Sequence, residues 1–241
     1  MPELVLYQYP GLGRERSTLS GPCAKVHMAL AVKGLDYEVR NLRTPMEVRR
    51  IHPRGRVPVL DIDGERVADS TDILTALERR FPEPPLQPAE PSARAQCKIL
   101  EDWADEVLYF YVAYLRWLTP EGFARIRRHI FVRYPAPLRW LLPWIARRET
   151  RARYRGQGVG LKDQATVERE LRECLQALDQ LLVPGPFVLG EQLTRADLAL
   201  CAMVDQLAVA ALLPEMAAEL QARPVLAAWA ERVHARAPAA T

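Results

Sequence analysis

The chain has 241 residues, 49% of them hydrophobic and 26% charged, with a formal net charge of +3. That is enough apolar material for one large or two modest domains, and too small a charge excess to imply nucleic acid as a partner. Four widely spaced cysteines (Cys23, Cys97, Cys174, Cys201) show neither metal-ligand spacing nor disulfide density, which excludes a disulfide scaffold and a zinc ribbon. No run reaches transmembrane length, and Met-Pro-Glu-Leu reads as a strand start rather than a signal peptide. The expectation is a soluble protein of a reducing cytoplasm, with Cys174 and Cys201 as buried thiols in helical patterns.

In chain order, the alternation of Leu4, Val5 and Leu6 predicts a first strand over 1–7. Ser20 to Lys33 reads as a capped helix carrying Val26, Met28, Ala29, Leu30 and Val32. Residues 37–40 form a second strand and 56–61 a third. A turn at Asp63-Gly64 leads to a fourth at 66–68. Asp69-Ser70-Thr71-Asp72 opens a helix with Ile73, Leu74 and Leu77 on one face, ending near Phe81. The order βαβ-ββα is that of a thioredoxin-like domain over 1–81. Pro82, Pro84, Pro85, Pro88 and Pro91 make 82–91 a stiff linker. From 92 to 241 the pattern is helical: one long helix over 93–118, another over 163–182, an apolar core helix over 194–213, and a last one over 225–233. The predicted fold is therefore α+β, a thioredoxin-like domain followed by an all-α domain.

Two short features bear on function. Pro58 stands in the strand-like stretch Arg56-Val57-Pro58-Val59-Leu60, where proline removes a backbone donor. A cis X-Pro turn there would aim the amide and carbonyl of Val57 into open space. The Asp69-Ser70 helix start offers free N–H groups to a carboxylate, and the Asp69 side chain can receive an ammonium. Together they suit a peptide-like ligand with an amino acid at one end. Taken singly, the first can be an edge-strand proline and the second an ordinary helix cap.

The block His52-Pro53-Arg54-Gly55-Arg56-Val57-Pro58-Val59-Leu60, followed by Ala68-Asp69-Ser70-Thr71, resembles the glutathione-binding half of a glutathione transferase. The stretch from Pro186 to Ala199 is similar to that family's buried helix start, where Thr194 caps the helix and Asp197 completes a capping box. The resemblance implies a glutathione transferase fold, a homodimer, and glutathione as co-substrate with a hydrophobic electrophile and no metal. It also implies that the Val57 backbone pairs with the cysteinyl peptide beside a cis Pro58. Ser70 would take the γ-glutamyl carboxylate, Asp69 would face the ammonium, and Arg56 would approach the glycyl carboxylate.

Chemistry in this fold sits at the first helix start, Ser20-Gly21-Pro22-Cys23-Ala24-Lys25. Helix-terminal amides stabilise an anion there, and a hydroxyl donating to the glutathione sulfur would hold it as thiolate. By the resemblance Ser20 takes that position, which favours conjugation; Ser20 is also an ideal N-cap. Cys23, one turn on, is the rival catalytic group: exposed, it would support a thiol-dependent reductase; packed on the sheet, it would be inert. Tyr7 and Tyr9 are a third source of a hydroxyl, with Tyr7 reading better as strand packing.

Leu6-Tyr7-Gln8-Tyr9-Pro10, a loop, and then Ser-x-x-Cys-x-Lys also resemble bacterial relatives of metaxin and failed-axon-connections proteins, as do Arg147-Arg148 and Gln157-Gly158-Val159-Gly160. That likeness implies a noncatalytic glutathione-binding or protein-interaction module. Finally, residues 119–160 hold ten Arg and no Lys against Glu121 and Glu149, with six interleaved aromatics and Pro135, Pro137 and Pro143 breaking the helical pattern. This insertion can be a substrate lid, a contact for an anionic membrane or nucleic acid, or a segment whose Arg stems cover packed Trp and Leu, including a dimer contact.

Overall fold

The computed structural model describes residues 2–13 and 17–238, so Met1 and the middle of the 11–19 loop lie outside the described residues. The first unit runs β1 (Leu4–Gln8), α1 (Gly21–Val32), β2 (Glu38–Asn41), α2 (Pro45–Ile51), β3 (Val59–Ile62), β4 (Glu65–Ala68) and α3 (Ser70–Arg80). The sheet order is β2-β1-β3-β4, with β1 parallel to β2 and the other pairs antiparallel.

β1 is buried along its whole length because both faces are covered. Side chains alternate across a strand, so Leu4 and Leu6 join Leu60, Ile62, Val26, Leu30 and Ile73 on one face. Val5 and Tyr7 join Val59, Ala68 and Val48 on the other. Val48 belongs to α2, a helix absent from the βαβ-ββα reading. With seven residues and one buried valine it is too short to carry a hydrophobic period. Its signature was the cap: Thr44 accepts from the Glu47 amide at 3.2 Å, and Glu47 accepts from the Arg43 amide at 2.9 Å.

The helical unit begins at Pro91. α4 (Pro91–Trp103) and α5 (Tyr109–Trp117) form one continuous rod through a π-helical turn over Ala104–Leu108. There follow α6 (Pro120–His129), α7 (Leu138–Gln157), α8 (Gln164–Leu181), α9 (Arg195–Leu207), α10 (Pro214–Gln221) and α11 (Pro224–Arg236). Every residue of α9 except Asp205 is buried. It is the central helix, and it packs on α1 of the first unit.

The insertion is more helical than its prolines suggest. Pro143 is buried within α7 and does not end it, although it withholds a donor from the Arg139 carbonyl and its ring crowds that carbonyl. Part of the segment packs as expected of Arg stems. Arg147 lies 4.1 Å over the Phe123 ring and donates to the carbonyls of Trp117 and Leu118. Arg133 donates to the Gly11 carbonyl at 2.7 Å and Tyr134 to that of Arg43, which ties the insertion to the loops before α1 and α2. Another part stays open: Leu138, Trp140, Leu141, Trp144 and Ile145 are exposed on α7.

Candidate active site at one end of the sheet

Three strand ends meet in one row. Tyr7 of β1 pairs with Val59 of β3, which pairs with Ala68 of β4. The loop leading to α1, the Val57-Pro58 dipeptide and the Asp69-Ser70 helix start therefore share one end of the sheet. The Val57–Pro58 peptide is cis. Pro58 is buried and its carbonyl accepts from the Asp69 amide at 3.2 Å, which holds the two motifs together. Among the described residues, no hydrogen bond reaches the N–H or C=O of Val57. An extended ligand backbone could pair there as a further strand does.

Asp69 caps α3 from an unusual conformation, with φ 89° and Oδ1 accepting from Thr71 N at 3.0 Å. Its carboxylate stays exposed beside the helix N-terminus. Ser70 is 5% exposed, and among the described residues neither its amide nor its hydroxyl is hydrogen-bonded. Arg56 is exposed on the approach to Val57. On the helical side stands Glu106. Burial and the nearby carboxylates of Asp105, Asp102 and Asp69 push its carboxyl up, while Arg56 works the other way. Glu106 went unnoticed in the sequence, because nothing local sets it apart from any other exposed helix glutamate.

Ser20 caps α1, and its Oγ accepts from Cys23 N at 3.4 Å, a long bond. Arg116, buried in α5, donates to the Leu19 carbonyl at 3.0 Å and to Gln206 Oε1 at 2.9 Å, so the approach to Ser20 is anchored to α9. Burial lowers the Arg116 guanidinium to about 10. Cys23 is fully buried. Burial pushes its thiol up to about 12, although the Ser20 and Thr18 hydroxyls and the Tyr9 backbone favour the thiolate. This burial favours the packed alternative for Cys23 over an exposed nucleophile, because a reactive cysteine needs access. Tyr9 is half-buried, with its phenol pushed up to about 12 by burial and by Tyr134. Tyr7 is buried in the sheet, as its strand position suggested. Of the other thiols, Cys201 is buried as expected, whereas Cys174 is only half-buried.

Behind this row lies a charge cluster. Lys25 Nζ sits 2.5 Å from Glu101 Oε1, 2.6 Å from Asp105 Oδ2 and 3.2 Å from Thr71 Oγ1, next to Ser70. Arg195 Nε lies 2.6 Å from the second Glu101 oxygen. In the sequence Lys25 stands out only as the end of the Ser20–Lys25 helix start. Its signal was a lysine among Cys23, Val26 and Met28, where a solvated residue has no place.

A four-stranded mixed sheet with this cis-proline row, joined to an all-helical unit, is the architecture of a glutathione transferase. Residues 16–85 match the family described as glutathione S-transferase, N-terminal domain, and residues 154–239 match glutathione S-transferase, C-terminal domain. The two matches cover well over half of the chain, which belongs to the glutathione S-transferase superfamily. Protein LigF of a Sphingobium strain is 41% identical over 71 residues, which is 29% of this chain and 28% of LigF. Its crystal structure, described as a beta-etherase, aligns over 98% of this chain and 96% of its own at TM-score 0.67 and 24% identity. The maleylacetoacetate isomerase of Pseudomonas aeruginosa is 41% identical over 81 residues, 30% of this chain and 38% of the isomerase. The sequence matches thus span well under half the length of these curated relatives. A glutathione S-transferase from Methylobacterium radiotolerans, solved with glutathione sulfonate, covers 99% of this chain and 96% of its own at TM-score 0.64 and 25% identity.

Proposed function

We propose that the protein is a glutathione-dependent transferase that binds glutathione along the Val57–Asp69–Ser70 row and presents its sulfur at Ser20. The observation that carries this reading is the unpaired Val57 backbone beside an uncapped Ser70 amide on the same end of the sheet. The cysteinyl peptide of glutathione would pair with Val57. The γ-glutamyl carboxylate would take the Ser70 amide and hydroxyl, the ammonium would face Asp69, and Arg56 would draw the glycyl carboxylate.

The Ser20 hydroxyl and the α1 amides then favour the thiolate. Its electron pair forms a bond to an electrophilic carbon, the leaving group departs with the bonding pair, and the thiol proton passes to solvent. Since the relatives include an isomerase and a beta-etherase, the substrate screen would hold activated cis-alkenes and aryl ethers beside halogenated aromatics.

Titration calorimetry with reduced glutathione tests the site. Binding should be lost in Asp69→Ala/Ser70→Ala, and undiminished binding in that variant would refute the assignment. A noncatalytic binding module of the metaxin-like kind is the second reading, favoured by the exposed apolar face of α7. It predicts binding without turnover across the whole screen. Homodimer formation is part of the first reading and is checked by sedimentation.

A further inference from the structure

Further along α9 than Arg195 of the Lys25 cluster, three different metal-ligating groups from two helices meet at a point. Cys201 and Asp205 stand four residues apart on α9, so they lie on one face. His234 comes from α11. Its Nε2 is 3.0 Å from Asp205 Oδ2 and 3.6 Å from Cys201 Sγ, and all three donor atoms lie within 4.8 Å of one another.

The geometry points to a divalent transition-metal site, with zinc the best match, formed by Cys201, Asp205 and His234. A tetrahedral zinc, about 2.3 Å from sulfur and about 2.0 Å from nitrogen, sets those ligands about 3.5 Å apart, close to the 3.6 Å between Cys201 and His234. The donor set, one thiolate, one imidazole and one carboxylate, is the mixture zinc accepts and magnesium or calcium does not. Three protein ligands leave a fourth position. Asp205 and His234 are 30% and 47% exposed, so that position opens to water.

The same geometry argues against a nucleophilic relay. In such a relay the acid and the thiol engage opposite ring nitrogens, so that one orients the imidazole while the other yields its proton. Here both face Nε2. A cation between Nε2, the sulfur and the carboxylate would engage all three atoms at once. Zinc takes cysteine as the thiolate, so metal binding would release the Cys201 thiol proton to solvent. Asp205 is the one residue of α9 not buried, so the core helix exposes its only surface residue at this point. An ion there would clip the C-terminal helix to the centre of the domain.

The test uses the full chain, stripped with chelator and free of glutathione, titrated with Co²⁺ and then Zn²⁺. The expected result is one Co²⁺ per chain with a sulfur-to-cobalt charge-transfer band. Zn²⁺ should displace it, and the band should be absent in Cys201→Ser and in His234→Gln. Zinc should also raise the melting temperature of the wild type and leave that of His234→Gln unchanged. Cys201 is buried and its replacement can disturb folding; His234→Gln and Asp205→Asn alter the solvent side and keep the test decisive. No thiolate band, or a band of equal strength in His234→Gln, would overturn the proposal.

Discussion

Lys25 Nζ and Glu101 Oε1 are 2.5 Å apart with both side chains fully buried, one on the first helix of the sheet domain and the other on the first helix of the helical domain. Asp105 and Arg195 complete a set of two cations and two anions whose formal charges cancel. Breaking a buried pair by removing one partner costs about 3–5 kcal/mol, because the other charge is left unpaired in the interior. Lys25→Met is expected to destabilise the protein by about that much, since it strands Asp105. Lys25→Met/Asp105→Leu removes one charge of each sign and leaves Glu101 with Arg195, so it should recover most of the loss. Urea unfolding of the single and double variants checks this, and a double variant no more stable than Lys25→Met would contradict it.

The same cluster contributes to the pH dependence of stability on the acid side. Burial works to raise the Glu101 carboxyl, but Lys25 and Arg195 together hold it below 4.5. A carboxyl depressed in the folded state gives stability that is fully present above its ordinary value and is lost as pH falls through the folded one. Asp105 acts in the opposite sense. Burial raises it despite Lys25, so it takes a proton in the folded protein before it would in the unfolded chain. Glu101→Gln should therefore lower stability at neutral pH and flatten its decline below about pH 4.5. Denaturant midpoints measured from pH 7 to pH 3 provide the comparison.

How much of this was legible in the sequence depended on how local each signal was. The cis Val57-Pro58 turn and the Asp69-Ser70 helix start are legible because turn and cap chemistry is written in adjacent residues, whereas their meeting at one end of the sheet is set by strand pairing. The capping box at Thr194 and Asp197 was readable for the same reason. α2 went unseen because one buried valine makes no period. α7 is hidden in the sequence because Pro143 inside it reads as a breaker, and the packing that tolerates it is not a local signal. The Lys25–Glu101–Arg195 cluster joins residues 76 and 94 positions apart, and no local pattern announces such a meeting. Whether Cys23 is exposed was likewise a question of packing, which the spacing of Ser20 and Cys23 could not decide.

Asp197 is expected to be the most sensitive position of α9. Its two oxygens accept from the Thr194 amide and hydroxyl and from the Val188 amide, each at 2.9 Å, and from Trp229 Nε1 at 3.1 Å. All these partners are buried. Each buried donor left unsatisfied costs about 1–3 kcal/mol, so Asp197→Ala should cost at least about 3 kcal/mol, well above an ordinary cap. Asp197→Asn keeps an acceptor and should cost less. Thermal unfolding of both variants ranks them, and equal losses would show that the acceptor pattern is not what matters.

Ser20 and Cys23 are separated by asking which tolerates loss of its functional atom. A thiol pushed up to about 12 is almost entirely protonated at neutral pH, so Cys23 should resist iodoacetamide in the native protein and react after denaturation. Cys23→Ala should leave turnover close to that of the wild type. Ser20→Ala removes both a hydroxyl and a cap, the cap alone contributing about 1 kcal/mol. Ser20→Gly isolates the chemistry, because glycine at an N-cap costs only a few tenths of a kcal/mol. Both Ser20 variants should bind glutathione with little change. Their turnover should fall by about 100-fold, the scale seen when one donor to a developing anion is removed. The glutathione thiol pKa, followed by thiolate absorbance in the binary complex, should rise in Ser20→Gly and stay put in Cys23→Ala. A rise in Cys23→Ala alone would transfer the role from the hydroxyl to the buried thiol.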